Sequence, residues 1–196
     1  MKIKKKIILA SASPRRKLLF TQTGFDYEIV PSDFEEFFDA NISAQENAIV
    51  LSKLKAIEVA KRFQNAFVVG ADTIVVLNGD IMGKPTDAND AVSMLKKLSG
   101  REHTVYTAFT IVDRPSNKFI SEIETTAVKF RELEEEEIYS YVKSGSPMDK
   151  AGAYGIQDDY GALFVERING CFYNVVGFPL TKFYITIKKF QTELDK

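Results

Sequence analysis

The 196-residue sequence predicts an α/β fold on three observations. Short β-branched and apolar runs suited to strands alternate with stretches that carry helix caps and helical spacing. Four polar stretches rich in glycine or arginine fall where a strand ends or a turn begins, the place where α/β proteins bind ligands. A hydrophobic content of 45% and a charged content of 27% are those of an ordinary globular protein, with length enough for a sizeable core. The chain reads as a single domain over 1–196, built as one body or as two small lobes.

The stretch from Ile7 to Leu19, IILASASPRRKLL, organises the rest. Ile7, Ile8 and Leu9 form a buried strand; Ser13 caps a helix with Pro14 at its first position. Ser11, Ser13, Arg15 and Arg16 then surround a helix start whose free N–H groups and positive dipole end suit an anion. Two adjacent planar guanidiniums make it a site shaped for a polyphosphate.

Gly24 stops this helix and Tyr27 to Val30 is a second strand. An acidic, aromatic loop follows, with Glu35, Glu36 and Asp39 among phenylalanines. Ser43 and Glu46 form a capping box for a helix over 43–63, in which Lys55 interrupts the apolar stripe of Leu51 and Val59. In AFVVGADTIVVL, residues 66–77, two strand-like runs flank Gly70, Ala71, Asp72 and Thr73. A carboxylate set among apolar residues is costly to bury without a partner or a metal, which marks Asp72 as functional.

Asn78-Gly79-Asp80 reads as a hairpin turn, and Gly83-Lys84-Pro85 holds a lysine between a flexible and a rigid residue. A helix from Thr86 or Asp87 to Leu98 turns Ala91, Leu95 and Leu98 inward. Strands are expected over 102–112 and 119–130, a helix with a solvated acidic start over 132–144, and a strand over 162–168. Before that strand lies SPMDKAGAYGIQDD, residues 146–159, where Gln157 closes a glycine-punctuated loop. A last helix opens at Pro179, with Tyr184, Ile187 and Phe190 on one side.

Several function classes are excluded. Lys+Arg is 26 against Asp+Glu 27, so no basic field draws in nucleic acid. The lone Cys171 gives no internal disulfide and no thiolate metal site; it suits a reducing cytoplasm and reads as a small buried hydrophobe. The lone His103 removes His-pair zinc motifs and reads as structural. The basic N-terminus carries too short an apolar run for a signal peptide, and no stretch approaches the ~18 apolar residues of a membrane span. The expectation is a soluble cytoplasmic protein with no membrane or nucleic-acid partner.

Taken together, SASPRR, GADT, GKP and DKAGAYGIQ resemble the Maf family of nucleoside triphosphate pyrophosphatases, from Ile7 to about Pro179. The resemblance implies an elongated, strongly twisted mixed sheet flanked by helices, with two lobes and a central cleft, as in inosine triphosphate pyrophosphatases. It implies cleavage between the α- and β-phosphates of a nucleoside triphosphate with a divalent cation. By motif, Asp72 is the general base and a metal ligand, and Arg15, Arg16, Lys55 and Lys84 are phosphate ligands beside Ser13. Glu36 matches the family's acidic loop residue, with Glu35 the alternative.

The branch most similar prefers dTTP and UTP, with Arg15, Thr73 and Gln157 at its specificity positions. One primary amide matches the N3–H donor and carbonyl acceptor of thymine or uracil, provided that neighbours fix its orientation. Asn169 departs from the aspartate that many members carry before the following glycine. Hard oxygen ligands favour Mg²⁺ or Mn²⁺. A homodimer is allowed. The implied roles are nucleotide-pool cleaning and control of septum formation and division; a nucleotide sensor without turnover is the alternative.

Overall fold

The computed structural model describes residues 3–196. The strands are β1 (Ile7–Ala10), β2 (Tyr27–Ile29), β3 (Ala66–Leu77), β4 (Asp80–Met82), β5 (Glu102–Arg114), β6 (Phe119–Phe130) and β7 (Val165–Asn169). The helices are α1 (Pro14–Thr21), α2 (Ala44–Ala60), α3 (Ala88–Leu98), α4 (Glu135–Lys143), α5 (Asp159–Phe164), α6 (Phe172–Val176) and α7 (Leu180–Leu194). The strands form one mixed seven-stranded sheet in the order β2-β1-β3-β5-β6-β7, with β4 paired to β3. The chain divides into two compact units. The first comprises Met1–Asp72, Thr107–Glu124 and Gly177–Lys196; the second comprises Thr73–Tyr106 and Thr125–Val176. No helix among the described residues is long and apolar enough to cross a membrane.

In the first unit β1 pairs in parallel with both β2 and β3, and all four of its residues are buried. A parallel strand covered on both faces must be apolar throughout, which is why Ile7-Ile8-Leu9 runs without alternation. Ile8, Ala10, Val68 and Val112 pack with Ala56 and Val59 of α2. Elsewhere in this unit Phe20, Phe109, Phe178 and Phe183 pack ring against ring, with centroids 4.9–5.7 Å apart. The buried stripe of α7 therefore runs through Phe183, Ile187 and Phe190, one position from the expected Tyr184. Tyr184 is exposed and stacks on Phe25.

In the second unit Asn78 and Gly79 form the two-residue hairpin turn, both at positive φ, and Leu77 pairs with Asp80. Asp87 caps α3, and Ala91, Leu95 and Leu98 are buried as their spacing demands. The acidic start of α4 is solvated as expected, with Glu132, Glu134, Glu135 and Glu136 exposed, while Arg131 holds the Glu137 carboxylate through both of its terminal nitrogens. Residues 162–164, expected as strand, belong to α5. The Ala162 N–H donates to the Asp158 carbonyl, so helical pairing reaches this segment before β7 begins. Cys171 is half-buried, short of the full burial expected, and its N–H donates to the Thr126 hydroxyl at 3.0 Å.

His103 is structural, as expected, and its burial has a measurable consequence. It packs edge-on against Phe130 and Tyr154, with Nε2 2.7 Å from the Tyr154 hydroxyl. Burial pushes its pKa from 6.5 down to about 4. The unfolded chain therefore takes up this proton first as pH falls, and stability drops between those two values. About 2 kcal/mol should be lost at pH 5 relative to pH 8 through this residue. His103→Phe should remove that part of the acid sensitivity in urea unfolding at the two pH values. An unchanged difference would mean that His103 is not desolvated.

Candidate active site

Three elements of the first unit build the site. β1 stops at Ala10, and the chain turns through Ser11, whose Oγ accepts from the Ser13 N–H at 3.2 Å. Ser13 Oγ in turn accepts from the Arg16 N–H at 3.4 Å, capping α1 as its sequence predicts. Arg16 is not a loose surface arginine: Nε donates to the Gly177 carbonyl at 2.9 Å and Nη1 to Ser11 Oγ at 3.4 Å. Burial lowers the pKa of this guanidinium, opposed by the negative charges of Asp72 and Glu36. Arg15, beside it, is half-buried.

The second component is α2, set going by the expected capping box. The Ser43 N–H donates to Glu46 Oε2 at 2.8 Å, and the Glu46 N–H to Ser43 Oγ at 3.2 Å. This helix lies directly on β3 at Gly70. A Cβ there would stand 2.2 Å from the Ser52 carbonyl oxygen and 2.6 Å from the Ala56 nitrogen, so only glycine permits the approach. Two residues on, the strand repeat brings Asp72 back to the face that Gly70 presents to α2. There it meets Lys55, the neighbour of Ala56, and Lys55 Nζ stands 2.5 Å from Asp72 Oδ1.

The third component is the acidic loop. Glu36 Oε1 lies 2.6 Å from the same Lys55 ammonium, so of the two adjacent glutamates it is Glu36 that joins the site. Lys55 and Asp72 are buried, while Glu36 remains partly open to solvent. Burial pushes the Asp72 carboxyl above its ordinary value, while Lys55 and then Arg16 pull it back. The result is a sequestered carboxylate held by cations, with a second carboxylate alongside. Among the described residues no group of three or more His, Cys, Asp or Glu side chains forms a ready-made metal cage.

The structure thus brings together Asp72, Lys55 and Glu36, with Arg16 in their field and Ser13 bonded to it. One expectation is corrected: GADT does not end a strand, because β3 runs unbroken from Ala66 to Leu77. Parallel pairing of β1 with residues 67–70 and the antiparallel hairpin over 75–82 use the same strand in turn. Asp72 therefore sits mid-strand between them.

Thr73, Lys84 and Gln157 lie in the second unit. Thr73 is half-buried and Lys84 exposed. The Gly152 N–H donates to the Gly83 carbonyl at 3.0 Å, tying the GKP turn to the AGAYG loop. In that loop Gln157 Nε2 donates to Asp158 Oδ1 at 2.6 Å, and Lys150 Nζ stands 3.1 Å from Asp158 Oδ2. No role for Lys150 or Asp158 follows from the sequence reading. Their only signal there is that they flank the loop's glycines. Asn169 is exposed on β7, paired with Ala127.

This is an α/β protein in which a buried Asp–Lys pair, with Glu36 at its solvent edge, stands beside an arginine-bearing helix start, an arrangement whose chemistry suits a polyanion. The family follows from comparison: the chain belongs to the Maf-like protein family, whose model matches residues 6–190. It is 48% identical over 198 residues to the dTTP/UTP pyrophosphatase of Acetivibrio thermocellus, covering 97% of this chain and 98% of that one. The dTTP/UTP pyrophosphatase of Caldicellulosiruptor saccharolyticus is 43% identical over 196 residues, 98% of each chain. That of Aquifex aeolicus is 47% identical over 184 residues, 94% of this chain and 95% of its own. Among solved structures, the Staphylococcus aureus Ham1 protein overlays 64% of this chain and 72% of its own with a TM-score of 0.44 and 20% identity, too loose a match to bear on function.

Proposed function

We propose that this protein hydrolyses dTTP and UTP to the nucleoside monophosphate and pyrophosphate. The observation that carries the reading is the convergence of Asp72 and Glu36 on the Lys55 ammonium, with Arg16 in the same field. The relatives named dTTP/UTP pyrophosphatase, similar over nearly their whole length, support the same reaction.

In the proposed reaction a water oxygen attacks the α-phosphorus, the bond from that phosphorus to the bridging oxygen breaks, and pyrophosphate leaves. Asp72 accepts the water's proton. Its burial suits this role, since a base whose pKa is raised holds that proton better than an exposed aspartate does. Arg15, Arg16 and Lys55 offset the charge that builds on the departing pyrophosphate. Arg16 is already oriented by its bonds to Gly177 and Ser11, so little ordering remains to be done on binding. Ser13 holds the helix start at which the phosphates are received. By the family pattern Lys84 is a further phosphate ligand, and Thr73 and Gln157 recognise the base.

Asp72 and Glu36, whose oxygens are hard, would be the residues to hold Mg²⁺ or Mn²⁺. Such a cation, when bound, lowers the pKa of a coordinated water and neutralises phosphate charge.

The test is pyrophosphate release from dTTP, UTP, CTP, ATP and GTP with each of the two cations. The expected result is preferential turnover of dTTP and UTP with stoichiometric pyrophosphate. Release of orthophosphate, or tight binding of UTP without turnover, would overturn the proposal; the second outcome would identify a nucleotide sensor.

A further inference from the structure

The proposed base choice depends on which way one amide faces, and the loop around it contains a device that sets this. Resting on the dTTP/UTP reading, we infer that Asp158, anchored by Lys150, is the positioning residue that locks the Gln157 amide so that its oxygen is presented to the base, selecting uracil and thymine over cytosine.

A carboxylate is acceptor-only when ionised. Asp158 Oδ1, 2.6 Å from Gln157 Nε2, can therefore be bonded only by the amide's NH₂ edge. Turning the amide over would place its oxygen against the carboxylate and exchange a charge-assisted hydrogen bond for a repulsion. The carboxylate is itself fixed. Its other oxygen faces Lys150 Nζ at 3.1 Å, and that buried ammonium is held by Asp149 Oδ1 at 2.9 Å, by the Ser146 carbonyl and by Ser146 Oγ at 3.4 Å.

The packing is tight around this arrangement. A Cβ on Gly155 would stand 2.4 Å from Asp158 Oδ2 and 2.8 Å from Lys150 Cε, and one on Gly161 would stand 2.3 Å from the Gly155 oxygen. The two glycines thus admit the ion pair to the loop.

What remains on the amide is informative. Gln157 Oε1 is buried and accepts no hydrogen bond from the described residues. A buried acceptor with no donor calls for a ligand or water donor. Thymine and uracil carry N3–H, a donor for this oxygen, beside a carbonyl that can accept the second N–H of Nε2. Cytosine carries an acceptor at N3 and an amino group beside it, so it meets the locked amide acceptor to acceptor and donor to donor. Cytosine would fit only the flipped amide, which Asp158 forbids.

The experiment measures kcat/KM for UTP and CTP in the wild type, Asp158→Asn, Gln157→Ala and the double variant. An asparagine at 158 can face the amide with either its oxygen or its NH₂, so both orientations of Gln157 become available. The UTP-to-CTP ratio should fall roughly tenfold to a hundredfold. Asp158→Ala, which offers no acceptor, should lower the same ratio and serves if the first variant folds poorly. In the Gln157→Ala background Asp158→Asn should leave the ratio unmoved, because it acts through the amide.

An unchanged ratio in both Asp158→Asn and Asp158→Ala overturns the inference. So does an equal shift with and without Gln157. Failure of the function itself is seen separately, as a wild type that releases no pyrophosphate. The ratio is then read from UTP and CTP binding by titration calorimetry, with the same outcomes for Asp158.

Discussion

Asp72→Asn should fold as the wild type does and release pyrophosphate from dTTP ~10²–10⁴ times more slowly, the usual worth of a positioned general base. The substitution keeps the side chain's shape and leaves Lys55 an amide oxygen on one side and Glu36 on the other. Its effect on stability has a definite sign. Burial raises the Asp72 carboxyl above its ordinary value, so the folded chain holds that proton to higher pH than the unfolded chain does. The associated stability is present at low pH and is lost as pH rises through the raised value. Asparagine does not titrate, so the change of melting temperature with pH should be smaller in the variant than in the wild type. Near-normal turnover would remove Asp72 from the chemistry, and a large drop in melting temperature would make its role structural.

Gly70→Ala should damage both fold and activity, although it adds only one methyl group. The new Cβ would meet the Ser52 carbonyl oxygen at 2.2 Å and the Ala56 nitrogen at 2.6 Å, both backbone atoms of α2 that cannot swing aside. Relief requires α2 to lift from β3, at a cost of about 3 kcal/mol, the upper part of the usual range for overpacking. Because Lys55 lies next to Ala56 on that helix, the same displacement draws its ammonium from Asp72. A misplacement of about 1 Å in such a cluster costs on the order of 10²-fold in rate. Gly83→Ala is the control for stability, since nothing stands within 4 Å of its added Cβ, and urea unfolding should shift by less than about 0.5 kcal/mol. Equal midpoints for the two variants in urea would show that α2 does not depend on Gly70 for its approach.

The elements that could be read from the sequence are those whose reasons lie within a few residues. Ser13 with Pro14, and Ser43 with Glu46, start helices through hydrogen bonds spanning three positions. Asn78-Gly79 turns a hairpin because both residues tolerate positive φ. The unalternating Ile7-Ile8-Leu9 announces a strand buried on both faces. Asp72 stands out because a carboxylate among β-branched residues needs a partner.

The partner itself was decided by tertiary structure. Lys55 is 17 positions away in sequence, and what brings it to Asp72 is the absence of a side chain at Gly70. That Glu36 rather than Glu35 meets that ammonium could not be read locally, because the acidic loop has no repeat that fixes its facing side. Arg16 answers to the Gly177 carbonyl, 161 positions on, so its orientation lies outside any motif. GADT looked like a break between two strands because its small polar residues imitate a turn. β3 instead stays whole, since β1 and β4 pair with successive stretches of it and β5 is a further neighbour in the sheet.

Lys150 and Asp158 had no periodic signal, and their importance comes from a close ion pair that only the packed glycine loop creates. By itself the sequence determined which residues carry charge, cap helices and turn the chain, because those properties are covalent or local. Only the tertiary structure decided which charges meet, because burial and long-range backbone contacts set the distances between them.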